Sequence, residues 1–101
     1  MTHPSKRKGN TFEYDLVNTA KEHGLSAQRA YASNGRALGL TEDVDCLIAG
    51  KKIQAKRRKK VANWLIPGDT VDCVATRPDR GDTLIVMRYT TFLDMLKQQP
   101  S

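Results

Sequence analysis

The chain has 101 residues, a formal net charge of +6 and 28% charged residues, a length that supports one core and excludes two independent ones. Its pI near 9.6 favours a polyanionic partner, because a basic surface gathers phosphates and releases their counterions on contact. No apolar run approaches the roughly 18 residues a membrane helix needs, and the first ten residues carry no export signal, so a cytoplasmic protein is expected.

Residues 1–9, with Lys6, Arg7 and Lys8 among Pro, Ser and Gly, offer nothing to bury and are expected to form a flexible basic arm. A helix capped by Asn10 or Thr11 should run to about Glu22, with Phe12, Leu16, Val17 and Ala20 as its apolar stripe and Gly24 ending it. Glu13 shares the side of Leu16 and Val17. A strand is expected over residues 26–32, then an irregular loop over 33–41 containing Ser33 and Arg36.

Residues 43–49 and 52–57 read as a hairpin turning at Gly50-Lys51, which places Ala49 opposite Lys52, Leu47 opposite Gln54 and Asp45 opposite Lys56. Alternation then puts Asp45, Gln54 and Lys56 on one polar face, and Val44, Cys46, Ile48, Ile53 and Ala55 on an apolar one. After a short helix or irregular connection over 59–65, the sequence Ile66-Pro67-Gly68-Asp69 has strong turn chemistry. Strands follow over 70–76 and 83–88, and the run Leu84-Ile85-Val86-Met87 looks buried on both faces. A last helix capped by Thr90 or Thr91 should carry Phe92, Met95 and Leu96 on one side and end near Gln98, leaving 99–101 as a disordered tail. Trp64 is expected in a core or a dimer interface rather than as a stacking platform for bases.

Cys46 and Cys73, far apart in apolar strand-like stretches, are expected as two buried thiols in a reducing compartment. His3 and His23 share no ligand spacing with them, so any metal must be held by oxygen donors. The polar face can provide these: the Asp45 carboxylate and the Gln54 amide suit magnesium, and Lys56 beside them can position a water or offset charge in phosphodiester hydrolysis. Seven of the ten residues 51–60 are basic, and Arg57, Arg58, Lys59 and Lys60 leave the proposed catalytic strand where a DNA backbone would pass. The plainer readings are a solvated strand face with a cross-strand ion pair, a capping-box role for Glu13, and a solubilising basic tract.

Four segments together, KGNTFEYDLVNTAKEHG with Glu13, QRAYAS with Arg29 and Ser33, VDCLIAG with Asp45 and IQAK with Gln54 and Lys56, resemble the PD-(D/E)XK nuclease superfamily, and within it the archaeal and phage Holliday-junction resolvases. The resemblance covers roughly half the chain. It implies a single-domain α/β restriction-endonuclease-like fold over residues 10–98, with a mixed central sheet flanked by helices. It implies a homodimer that binds branched DNA, four-way junctions above all, and makes paired magnesium-dependent nicks in recombination, with manganese able to substitute. Glu13, Asp45 and Gln54 would be the metal ligands, joined by Lys56 and Ser33 in catalysis, while Lys6, Arg7, Lys8, Arg29, Arg36 and residues 57–60 would contact DNA. The family usually has Glu or Asp where this chain has Gln54, and proline where it has Val44. The rival expectations are a flap, fork or duplex nuclease of the same fold, or a DNA-binding protein without turnover.

Overall fold

A computed structural model describes residues 4–30 and 43–99. The chain is mixed α/β and divides into two compact units, Met1–Arg57 and Arg58–Ser101.

In the first unit, helix α1 spans Pro4–Glu22. It begins within the segment expected to be a free arm, of which only residues 1–3 lie outside the described residues. Proline is tolerated in a first helical turn, and Lys6, Arg7 and Lys8 are good helix formers that propagate a helix nucleated by the apolar stripe. Leu16, Val17 and Ala20 are buried and Phe12 is half-buried, as the spacing predicts. The helix ends at Gly24, whose φ of +83° is costly for other residues. The Gly24 amide donates to the Lys21 carbonyl at 2.9 Å and the Leu25 amide to that of Ala20 at 3.0 Å, the paired bonds of a Schellman cap.

Strands β1 (Ala27–Arg29), β2 (Cys46–Ile48) and β3 (Lys51–Ile53) form an antiparallel sheet in that order, and α1 packs on β1 and β2. Burial alternates as expected, with Cys46 and Ile48 fully buried and Lys52 and Gln54 exposed. The register differs. The pairs are Cys46 with Ile53, Leu47 with Lys52 and Ile48 with Lys51, so the turn is Ala49-Gly50 rather than Gly50-Lys51. This puts Gly50, at φ +80°, second in a two-residue turn whose central residues both have positive φ, the place where glycine is favoured. Because the pairing shifts by an even number of residues, every side chain keeps its expected face.

The expected strand lengths also shrink. The Asp45 amide donates to the Ile53 carbonyl at 2.8 Å, one residue off the ladder, while the Ala55 amide donates to Asp45 Oδ2 at 2.6 Å. A side-chain acceptor thus replaces a ladder carbonyl, and Gln54 and Lys56 fall just beyond the end of β3.

In the second unit, a 3-10 turn (Asn63–Leu65) leads to the hairpin of β4 (Cys73–Thr76) and β5 (Leu84–Met87), then to helix α2 (Tyr89–Lys97). The strands pair from Cys73 with Met87 to Thr76 with Leu84. The described strands therefore lie in two antiparallel sheets rather than the one mixed sheet expected. Leu84 and Ile85 are exposed, against the expected two-sided burial, because the hairpin has just two strands. Cys73 is exposed as well, and both cysteines are free thiols. On α2 the buried residues are Leu93 and Leu96, with Phe92 half-buried and Met95 exposed, and Arg88 rather than a threonine stands at the N-cap. The Arg88 guanidinium donates to the Pro67 carbonyl at 2.6 Å and lies 3.9 Å from Asp69, tying the start of α2 to the turn after the 3-10 segment. No described helix is long and apolar enough to cross a membrane.

Ala49, at φ +49°, adopts a left-handed conformation that costs an L-residue roughly 1–2 kcal/mol. Ala49→Asn should raise stability by about 0.5–1 kcal/mol in urea unfolding, and Gly50→Ala should lower it. In the native protein a thiol reagent at pH 8 should modify Cys73 alone, with Cys46 reacting after denaturation; labelling of native Cys73→Ser would contradict the burial of Cys46.

Candidate functional site

Glu13 lies on α1 one turn before Leu16 and Val17, so the packing that buries those residues carries its carboxylate toward the sheet. Its side chain is 17% exposed, and Arg29, at the end of β1 and 12% exposed, brings Nη2 to 3.6 Å from Oε2. The guanidinium also lies over the Tyr14 ring, 4.3 Å from the centroid. The Ala30 amide donates to the Asp45 carbonyl at 2.9 Å, which holds the end of β1 beside Asp45.

Burial pushes the Glu13 carboxyl above its ordinary range, Arg29 pulls it back down, and the negative charge of Asp45 raises it again. The Cys46 thiol is pushed up to about 11, first by burial and then by Asp45 and Glu13, with Arg29 opposing. Glu13 on α1, Arg29 on β1 and Asp45 just before β2 are thus electrostatic neighbours.

The Asp45 carboxylate is anchored on the Ala55 amide, the residue between Gln54 and Lys56. Both of these side chains are exposed. Among the described residues no three His, Cys, Asp or Glu side chains gather as a metal site, so Glu13 and Asp45 would need the Gln54 amide oxygen as a third protein donor. That oxygen, like the two carboxylates, is a hard ligand that fits magnesium.

The remaining expected site residues fall elsewhere. Arg29, expected at a phosphate, directs its guanidinium to Glu13 and Tyr14. Arg57, Arg58, Lys59 and Lys60 are exposed on irregular backbone. Lys6, Arg7 and Lys8 belong to the first turns of α1. Ser33, Arg36 and the expected loop lie outside the described residues. Tyr14 and Cys46 had no place in the site read from the sequence. An aromatic ring meeting an arginine across two elements leaves no local spacing to read, and Cys46 has the pattern of an ordinary core residue.

The raised Glu13 carboxyl has a definite linkage sign. With a folded value above the unfolded one, the native state binds more protons in the interval between them, so this group's contribution to stability is fully present below pH 4.5 and is lost as pH rises through the folded value. Glu13→Gln should flatten that part of the pH-stability profile. Arg29→Ala should move the Glu13 titration, followed by side-chain carboxyl NMR, further upward; an unmoved titration would remove Arg29 as its partner. No known protein family, curated protein or solved structure compared with the chain matches it.

Proposed function

We propose that the chain is a magnesium-dependent endodeoxyribonuclease with a restriction-endonuclease-like core, resolving four-way DNA junctions by paired nicks as a homodimer in the cytoplasm. The observation that carries this reading is the neighbourhood of Glu13 and Asp45, with the Asp45 carboxylate seated on the backbone between Gln54 and Lys56. Supporting it are the helix followed by a three-stranded meander, with an acid on the helix and another beside the central strand, and the exposed cations of residues 56–60.

In this reading Glu13, Asp45 and Gln54 hold the magnesium ion, which manganese can replace. The ion supplies, when bound, a water of lowered pKa and a positive charge against the phosphate oxygens. Arg29 holds the Glu13 carboxylate in place through their ion pair. The Lys56 ammonium, exposed beside that site, positions the attacking water or meets the charge that develops on the phosphate. Lys6, Arg7, Lys8, Arg36 and residues 57–60 take the DNA backbone, and Ser33 lends a hydroxyl to the phosphate. Such contacts read shape rather than base sequence. Two copies related by a two-fold axis present two equivalent sites to opposing strands.

The second reading is a DNA-binding protein of the same fold without turnover. Gln54 favours it, since a neutral amide binds a divalent cation less strongly than a carboxylate.

The test is incubation of a labelled four-way junction, a fork and a linear duplex with and without magnesium, with the nicks mapped. Symmetric nicks in the junction are expected with magnesium and none in EDTA. Asp45→Asn should abolish cleavage and preserve binding, and Lys56→Ala should slow cleavage on the order of a hundredfold or more. Binding without nicks in either magnesium or manganese leaves the second reading, and preferred cutting of the fork or duplex replaces the junction as substrate.

A further inference from the structure

Trp64 is 64% exposed, so it belongs to no core. It sits at the centre of the 3-10 turn, and the chain just before it carries the exposed basic residues Arg58, Lys59 and Lys60. All four belong to the second unit.

The turn is closed by two internal bonds and held on its C-terminal side. The Leu65 amide donates to the Ala62 carbonyl at 3.0 Å and that of Ile66 to Asn63 at 3.1 Å. Beyond them Leu65 is half-buried and Pro67 buried, with the Pro67 carbonyl held by Arg88. An indole on a braced turn loses little freedom when a flat partner covers it, so its position favours stacking. Preceding cations on irregular, exposed backbone supply the phosphate contacts that a stacked nucleotide brings with it.

We infer that Trp64 with Arg58, Lys59 and Lys60 forms a binding site for unpaired nucleic acid, the indole stacking on an exposed base and the cations taking the adjoining phosphates. The apolar ring and the charged run together match the two faces of a single strand, whereas a duplex offers phosphates but keeps its bases stacked on one another. This rests on the nucleic-acid-binding part of the proposed function and deepens it: the branch or opened end of the substrate is what the second unit holds. It does not depend on the metal site.

The protein has a single tryptophan, so its emission reports this one position. Binding of labelled oligothymidylate and oligouridylate of about 15 nucleotides, and of a blunt duplex, is followed in EDTA by anisotropy and by Trp64 fluorescence. Saturating single strand should quench the indole, and the duplex should bind without quenching it. Trp64→Ala should weaken single-strand binding on the order of tenfold at an unchanged salt slope, Trp64→Phe should restore most of it, and Lys59→Ala with Lys60→Ala should lower the salt slope. Quenching by the thymidylate identifies DNA as a ligand, and quenching by the uridylate alone identifies RNA.

A bound single strand that leaves the emission unchanged overturns the site, as does unaltered affinity in Trp64→Ala or equal quenching by duplex. A change of emission with protein concentration alone, accompanied by dimer in sedimentation, overturns it in favour of self-association through Trp64. Quenching without junction cleavage removes the nuclease and keeps this site, while cleavage without quenching does the reverse.

Discussion

The packing of α1 on β1 and β2 is the constraint from which the rest of the first unit follows. Leu16, Val17 and Ala20 from the helix, and Cys46 and Ile48 from the sheet, are its buried residues, and each larger aliphatic side chain removed from water contributes on the order of 1.5–3 kcal/mol. Helical periodicity leaves Glu13 no choice once these residues are seated: it lies one turn from Leu16 and Val17 and is drawn into the same partly buried region. A carboxylate there is costly without a partner. Arg29 supplies one from the neighbouring strand, and its own burial is offset by the acid and the Tyr14 ring.

Among the described residues, the result is a cluster of one guanidinium and two carboxylates. Arg29 pairs with Glu13, while the negative charge of Asp45 acts on Glu13 and both acids act on the Cys46 thiol. Structural ion pairs alone would be served by Arg29 and Glu13, without Asp45 nearby. Two carboxylates in a partly buried region favour a cation near them. Asp45 is itself held by the Ala55 amide, so the acid is oriented by backbone rather than left to a mobile side chain. The same bond lies where the sheet ends, with Gln54 and Lys56 just past it.

The second unit is organised differently. Its hairpin has two strands, several of its large apolar side chains are exposed, and the bonds of Arg88 to Pro67 and Asp69 join segments that share little core. An isolated two-stranded hairpin is only marginally stable in water. A surface of this kind is suited to recognition, since braced apolar groups next to cations gain most when a partner covers them.

Much of this was written locally in the chain. The spacing of Phe12, Leu16, Val17 and Ala20 determined the buried side of α1, Gly24 its end, and the alternation from Val44 to Ala55 which side chains of the hairpin face the core, because these depend on periods of 3.6 and 2 and on one glycine's freedom at positive φ. The α/β character followed from the same patterns. Tertiary structure decided what no local period encodes: the Ala49-Gly50 turn and its register, the placement of Arg29 on Glu13 rather than outward, the split into two sheets, and the exposure of Trp64, Cys73, Leu84 and Ile85. Each of these depends on which distant surface reaches a residue first. An apolar run in β5 reads as core from its composition, yet only a third strand or a covering helix could have buried it.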